Sequence, residues 1–169
     1  MKQFKTLLIA VALTLGATSF TQAQSKIAHI ATQELIEQMP AYTSAMTQLE
    51  KLQKTYDAQL QDMAAEAQAT MKRYEAEAAT KTDEENAKRV AELQQTQRSI
   101  GEYRQNAMQE LQKKEVEILQ PVYEKARTAI QKVARAKGYD YVLDSTTGTG
   151  LILADGYDLM PDVKKELGI

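Results

Sequence analysis

The sequence predicts a mostly helical α+β protein, in which a long antiparallel helical hairpin (the arm) projects from a small β-rich body. Two observations support this prediction. None of the seven glycines and three prolines lies between Ala41 and Ile100, and sixty residues without a turn signal are typical of long helices. Most of these glycines and prolines lie instead from Gly138 onwards, where they separate short strand-like segments.

The composition excludes several classes of function. The chain has no Cys and one His, so disulfides, zinc–thiolate sites, thiol catalysis and multi-His metal centres are excluded. No GxxxxGK[ST] or GxGxxG pattern is present, and the Gly148–Gly150 segment is typical of a loop rather than of a phosphate cradle. We therefore expect no cofactor, no metal and no catalysed reaction.

Residues 1–23 have the pattern of a cleavable signal peptide. Lys2 and Lys5 precede an apolar run from Leu7 to Gly16, and Ala23 offers a small residue for cleavage. The run is shorter than the about 20 residues that span a membrane, which argues against the alternative of an uncleaved anchor. We predict export, cleavage after Ala23 and no stable membrane insertion. The mature chain has 19 basic and 23 acidic residues, which argues against a nucleic-acid partner.

The arm is predicted at residues 41–120, with its turn near 80–83. Apolar residues recur at steps of three and four in both halves, which indicates two amphipathic helices. Thr82 and Glu85 have the spacing of a capping box, so a second helix should start near Asp83. The alternative is one unbroken helix from Ala41 to Gln120. The first predicted stripe is Tyr42, Met46, Leu49, Tyr56, Leu60, Met63, Ala67, Met71, Tyr74 and Ala78; the second begins Ala87, Val90, Leu93 and Ile100.

The body is predicted at residues 24–40 and 121–169. A first strand at 26–31 precedes a short helix, Gln33 to Met39, that Thr32 could cap. A strand at 139–144 and another at 151–154 are expected to pair as a hairpin, and a last helix follows from Pro161 to Leu167. Such a body is small and leaves open sheet edges, so we predict an obligate homo-oligomer. The predicted oligomerisation residues are Ile27, Ile30, Tyr141, Val142, Leu143, Leu151, Ile152 and Leu153.

These segments resemble the Skp family, also called OmpH, of periplasmic chaperones for outer-membrane proteins. The resemblance covers nearly the whole mature chain. It is most specific at the end of the chain. There a strand (Gly138–Asp144) is followed by a polar turn, an apolar segment (Leu151–Leu153) and the start of a helix (Tyr157–Val163). The resemblance implies a jellyfish-like homotrimer in the periplasm, in which a β-rich hub holds three arms around a cavity for unfolded outer-membrane β-barrel proteins.

We therefore predict an ATP-independent holdase chaperone that sequesters unfolded clients through many weak contacts. The rival hypothesis is a periplasmic coiled-coil scaffold or spacer that binds one defined envelope partner. A continuous strong heptad would favour the scaffold, whereas the interruptions of the second stripe at Gln97 and Arg104 favour the holdase.

Candidate site residues are few. Met63, Met71 and Tyr74 are predicted client contacts near the arm tip, because flexible Met side chains suit promiscuous binding. His29 is predicted to be a strand residue without catalytic partners. Asp140 and Asp144 are interpreted as solvent-facing strand residues or turn caps rather than as an acid–base pair.

Overall fold

The computed structural model describes residues 25–169, so the predicted signal peptide lies outside the described residues. The fold is mostly helical with one small sheet, which confirms the predicted fold class. In chain order its elements are strand β1 (Ile27–Ile30), helices α1 (Thr32–Glu37), α2 (Pro40–Glu77) and α3 (Asp83–Ala136), strands β2 (Tyr141–Asp144) and β3 (Tyr157–Asp158), and helix α4 (Met160–Leu167).

The two long helices pack side by side as an antiparallel hairpin. Helix α2 has 38 residues and α3 has 54, so they measure about 57 Å and about 81 Å at 1.5 Å per residue. Two hydrogen bonds fix their register: the Tyr74 hydroxyl donates to Glu92 at 2.7 Å, and the Tyr103 hydroxyl donates to Gln59 at 2.9 Å. The alternative of one unbroken helix is wrong, because α2 ends at Glu77.

The arm turns without a glycine. A short 3₁₀ segment, Ala78–Thr80, ends the first helix. Thr82 then caps α3: its hydroxyl accepts the Glu85 N–H at 3.2 Å, while the Glu85 carboxylate accepts the Thr82 N–H at 3.2 Å. The Asn86 side chain donates across the turn to the Ala78 carbonyl at 3.0 Å. Side-chain hydrogen bonds therefore replace the left-handed glycine that often ends a helix.

Replacing Thr82 by alanine is expected to lower the free energy of opening the arm tip by about 1 kcal/mol, because the Glu85 N–H loses the hydroxyl that caps it. Faster hydrogen exchange of the amides at 83–86 would show this effect. Thr55→Ala is the matched control, since Thr55 lies within α2 and its hydroxyl only bonds back to the Lys51 carbonyl. Equal exchange in both variants would contradict the capping role.

The seam between α2 and α3 differs from the prediction near the tip. Arg89 faces α2, where its guanidinium lies 4.5 Å from the Tyr74 ring centroid and pairs with Glu77. Val90 is exposed instead, and so are Met46 and Met71 on α2. The predicted membership of these three residues in the seam is therefore wrong. Arg89 stacks on Tyr74 and pairs with Glu77, and these contacts set the local register between α2 and α3. A pattern of apolar residues alone does not show them.

Helix α3 continues into the body. It runs through Pro121 without interruption, and its last turns bury Val122, Ala126, Ile130 and Val133 in the body's core. The helix ends at Ala136, and Gly138, with a φ of +73°, turns the chain just after it. The Gly138 and Tyr139 amides donate to the Arg135 and Ala134 carbonyls, which is the Schellman pattern of helix ends.

The sheet order is β2-β1-β3, and both outer strands run parallel to the central β1. The predicted hairpin between 139–144 and 151–154 is therefore wrong. Residues 151–154 form no strand, and β3 lies further on at Tyr157–Asp158. A parallel pair needs a crossover rather than a tight turn, so the 145–156 loop carries the chain from one side of β1 to the other.

One apolar core holds the body together. Ile30, Leu35, Leu159 and Val163 are its most completely buried large side chains. They bring β1, α1 and α4 against the end of α3. At the far end, the Tyr157 hydroxyl donates to Asp162 at 2.7 Å and accepts from Lys137 at 3.0 Å, which ties α4 to the end of α3. Gly168, with φ +76°, then closes α4 as predicted.

Candidate functional site

The sheet has one buried face and one apolar exposed face. Parallel pairing aligns Ile27 with Tyr141 and His29 with Leu143, so these four side chains share the outer face. Ile27, Tyr141 and Leu143 are all exposed, Tyr141 by 59%. Three large apolar side chains side by side on an open sheet form the kind of surface that another protein normally covers.

Two predicted oligomerisation residues lie on the opposite, inner face. Ile30 is 1% exposed and Val142 packs against the same core. Their side chains serve the core of their own chain, so they are not available to a second copy in this conformation. Alternation along a strand assigns residues to two faces, and only the position of α3 shows which face is the inner one.

The loop at 145–156 presents the remaining predicted apolar residues. Leu151 is half-buried, Ile152 is 100% exposed and Leu153 is mostly exposed. His29 lies beneath this loop: its Nδ1 is 3.2 Å from the Ser145 hydroxyl and its Nε2 is 3.2 Å from the Gly156 carbonyl oxygen. His29 therefore spans the two ends of the loop, in agreement with its interpretation as a structural strand residue.

Asp144 joins the sheet to α1. Its carboxylate accepts the Thr32 N–H at 3.2 Å and the Thr146 N–H at 2.9 Å, and both threonine hydroxyls donate to it as well. The predicted cap by Thr32 is wrong, because the helix begins at Thr32 itself and no cap side chain precedes it. The cap comes instead from the end of β2. Asp144 is therefore a turn and helix cap, whereas Asp140 accepts the N–H of Lys26, just before β1, at 2.9 Å.

Acid is expected to destabilise the body through Asp144. Partial burial alone would raise the pKa of its carboxyl, but the hydrogen bonds from Thr146 and Thr32 outweigh burial and hold the pKa at about 2, below the ordinary 3.8. The stabilisation is therefore complete above about pH 4 and disappears as the pH falls towards 2. Urea unfolding at several pH values should show Asp144→Asn with lower stability at neutral pH and a flatter decline over this range. Asp155→Asn, an exposed loop variant, should behave as wild type; an unchanged decline in Asp144→Asn would contradict the assignment.

The three predicted client contacts differ in their surroundings. Met71 is exposed and Met63 is half-buried along the seam. Tyr74 is half-buried between Arg73 and Arg89, and its hydrogen bond to Glu92 raises the pKa of its phenol. Tyr74 thus helps to join the two helices, whereas Met71 is open to solvent.

The distal seam is polar as well as apolar. Asn86, Arg89 and Thr96 occupy half-buried positions along it. The Arg89 Nη1 atom is buried without a hydrogen-bond partner among the described residues. Helix stability depends mostly on packing an apolar face. Because polar residues occupy part of this seam, we expect the distal arm to have a low free energy of local unfolding.

Neither a metal centre nor a membrane span is found in the described chain. Within residues 25–169, no three His, Cys, Asp or Glu side chains lie close enough to hold a metal ion. No helix in that range is both long and apolar enough to cross a bilayer.

Sequence reasoning missed the exposed apolar residues on the basal half of α3. Met108, Val116 and Tyr123 are all exposed there. Their only signal in the sequence is that they are large apolar residues outside the period of the seam. Tyr157, which stacks on Tyr139 with ring centroids 5.5 Å apart, was missed as a strand residue.

The fold and these surfaces define a class: a helical-arm protein on a small sheet body, with apolar side chains left exposed on the sheet and the arm. Residues 26–167 match the family described as outer membrane protein (OmpH-like), and the chain belongs to that family. The resemblance inferred from the sequence is confirmed.

Curated relatives and a solved structure agree with this assignment. The chain is 28% identical to the chaperone protein Skp of Photorhabdus luminescens over 137 residues, 81% of each chain. It is 24% identical to the Skp chaperone of Pectobacterium atrosepticum over 155 residues, 92% of this chain and 93% of the relative. An OmpH-like outer membrane chaperone from Caulobacter crescentus has the same fold, with a TM-score of 0.76 at 19% identity over 85% of this chain and 84% of the other.

Proposed function

We propose that the protein is a periplasmic, ATP-independent holdase chaperone, in which three copies enclose unfolded outer-membrane β-barrel proteins between their arms. Membership of the OmpH-like family and relatives named as Skp chaperones support the chaperone role. The predicted signal peptide at 1–23 supports the periplasmic location. No reaction is proposed, in keeping with relatives that are named as chaperones.

The observation that most supports this proposal is the apolar outer face of the sheet at the base of a long arm. Ile27, Tyr141 and Leu143 leave an apolar surface uncovered, and the outer edges of β2 and β3 are not paired with any other described strand. One neighbouring copy could cover this face, and strands of neighbouring copies could pair with the open edges. Association at the body would leave the arms free to surround a client.

The exposed loop residues fit the same assembly. Ile152 and Leu153 extend from a loop anchored at both ends by His29. We propose that they, with Leu151, cover the sheet of a neighbouring copy, where they would form the strand that they do not form within one chain. Oligomerisation would thus explain the strand-like sequence of 151–154.

The rival scaffold function fits the arm less well. A rigid spacer requires a continuous apolar seam, whereas Asn86, Arg89 and Thr96 interrupt this one. The mixed surface of the arm, with 14 acidic and 11 basic residues between 41 and 120, suits weak and reversible contacts. A holdase that must release its clients without a nucleotide needs contacts of that kind.

An aggregation assay tests the proposed function. The mature protein, without nucleotide, should suppress light scattering by a urea-denatured outer-membrane β-barrel protein when about one trimer is present per client. A folded, client-unrelated protein of similar size serves as the control additive. No suppression, together with tight binding to a single folded envelope protein, would overturn the holdase in favour of the scaffold.

The distal client contacts give a separate prediction. Met63→Gln/Met71→Gln/Tyr74→Gln should weaken the suppression of aggregation more than it lowers the melting temperature. Tyr74→Phe is the control, because it keeps the ring beside Arg89 and removes only the hydrogen bond to Glu92. Wild-type suppression by the triple variant would exclude these residues as contacts.

A further inference from the structure

The segment Leu151–Ala154 is an accessible apolar part of the body with an unpaired backbone. Ile152 is 100% exposed and Leu153 is 69% exposed. Residues 151–155 form no backbone-to-backbone hydrogen bond with any described residue, whereas the loop is held at both ends by His29. The segment is therefore displayed between two fixed points, with its N–H and C=O groups as well as its side chains open to a partner.

Exposure alone does not make a residue available to a partner that binds extended peptides. Met108 is 67% exposed, almost as much as Leu153, but its backbone lies within α3. Tyr141 is 59% exposed, but its backbone lies in β2, which is paired with β1. Partners that bind a peptide as an added strand use its free main-chain groups together with side chains that fill their pockets. Of these three residues, Leu153 is the one that offers both.

The partner class that fits these features is an endoprotease with an apolar primary pocket. Exposed loops are the preferred sites of proteolytic cleavage, and the hydrophobic slot of a chymotrypsin-like enzyme selects one large apolar side chain at the cleaved bond. Leu153 supplies that side chain, and Leu151 lies on the same face of an extended chain two residues before it. A neighbouring copy in the assembly would occupy the same segment, so the two partners exclude each other.

A cut after Leu153 would divide the body. Water adds its hydroxyl to the Leu153 carbonyl carbon and its proton to the Ala154 nitrogen, so the bond between them breaks and a new carboxyl and a new amino terminus form. The released piece, residues 154–169, contains β3 and α4. With it go Leu159 and Val163, both 0% exposed, which are two of the four largest fully buried side chains of the core.

The piece would be held only weakly after the cut. Two ion pairs join it to the end of α3, Lys132–Glu166 at 2.6 Å and Lys137–Asp162 at 3.0 Å, and ion pairs at a surface contribute little stability. In the intact chain the loop keeps α4 at the effective concentration of a short tether, about millimolar, whereas after the cut its docking is bimolecular. We therefore expect the piece to dissociate and the small core to unfold, which further proteolysis makes irreversible.

We infer that Leu151–Ala154 is a cleavage site through which an endoprotease of the same compartment removes unassembled copies of this protein. The inference rests on the proposed function, because a neighbouring copy covers the segment in the assembly. A copy without neighbours also exposes the apolar face at Ile27, Tyr141 and Leu143, which makes it prone to aggregate. Cleavage at the exposed segment is thereby directed to the copies that carry this liability, and assembled copies are spared.

Limited proteolysis with chymotrypsin tests the site in the full-length mature protein. In copies dissociated by dilution, the first cut should release residues 154–169, identified by mass spectrometry. Leu151→Ser/Leu153→Ser should slow this first cut several-fold. Met108→Ser/Val116→Ser is the matched control, since it removes two exposed apolar residues of a helix, and it should leave the rate unchanged. A first cut within the arm, or an unchanged rate in the loop variant, would overturn the site.

Cleavage at different degrees of assembly tests the shielding. The rate constant of the loop cut should follow the dissociated fraction, which is set by dilution and by Leu143→Asp and measured by sedimentation. It should be several-fold lower in assembled copies, and Val90→Asp should be cut at the wild-type rate. After the cut, residues 154–169 should separate from the remainder on a sizing column. Equal rates in assembled and dissociated copies, or a nicked body that keeps the piece and its melting temperature, would overturn the inference.

The activity of the uncut protein separates this inference from the proposed function. Wild-type suppression of aggregation, together with a loop cut that does not depend on assembly, would overturn the inference alone. No suppression by the uncut protein would overturn the proposed function, while a loop cut that still follows the dissociated fraction would retain the cleavage site.

Discussion

Replacing Leu143 by aspartate is expected to dissociate the assembly into monomers and to abolish the suppression of client aggregation. Leu143 is exposed on the outer face of the sheet beside Tyr141. If a second copy covers this face, the new carboxylate would be buried without a partner, which costs several kcal/mol. Sedimentation velocity at micromolar concentration should show the loss of the assembled species, and light scattering should show the loss of protection.

Val90→Asp is the matched control for this substitution. Val90 is an aliphatic residue of comparable or greater exposure, but it lies on the arm and outside the seam. It should leave both the assembly and the protection intact. If Leu143→Asp also remains assembled with wild-type protection, the outer face of the sheet is not the surface that holds the copies together.

Truncating Leu35 to alanine is expected to lower the free energy of unfolding by 2–5 kcal/mol, the largest effect on stability that we predict. Leu35 is 0% exposed at the centre of the body core, where it joins Ile30, Leu159 and Val163. The body is small, so a cavity there removes a large share of its stability. Urea unfolding at a fixed protein concentration measures the change, because association contributes to the apparent stability.

Ile36→Ala tests whether this cost arises from burial. Ile36 is the next residue of the same helix and has the same number of side-chain carbons, but it is only half-buried and borders the open groove beside α1. Its truncation should cost clearly less than that of Leu35. Similar losses in the two variants would contradict the position of the core inferred from the structure.

The helical part of the fold could be predicted because its signals are local. The apolar period, the absence of breakers from Ala41 to Ile100 and the capping box at Thr82 are all readable within a few residues of one another. The error at the distal seam has a specific cause. Val90 is apolar and Arg89 is charged, yet Arg89 occupies the seam because Tyr74 and Glu77 offer it a ring and a carboxylate.

The sheet could be predicted only in part, because its pairing is not local. β1 pairs with strands more than a hundred residues away in the chain. Leu151–Ala154 has the composition of a strand and follows a turn, so the sequence favoured a hairpin. Pairing both β2 and β3 with β1 buries Ala28 and Ile30 together with Leu159, and only the folded chain shows this arrangement.

The same limit applied to the candidate site. The sequence could name the apolar strand residues, such as Tyr141 and Leu143, but it named Val142 of the inner face with them, because alternation alone does not show which face is exposed. It could not separate Met71, which is exposed, from Tyr74, which joins the two helices. It also gave no reason to single out Val116 or Tyr123, since residues outside a helical period are normally solvated and polar.

The stoichiometry of the client complex tests the central claim most directly. Native mass spectrometry of the mature protein mixed with one unfolded outer-membrane β-barrel protein should show three copies bound to one client chain. The protein alone should show the trimer as its main species. A complex of one or two copies per client, or a ladder of copies that grows with client length, would contradict sequestration between the arms of a trimer.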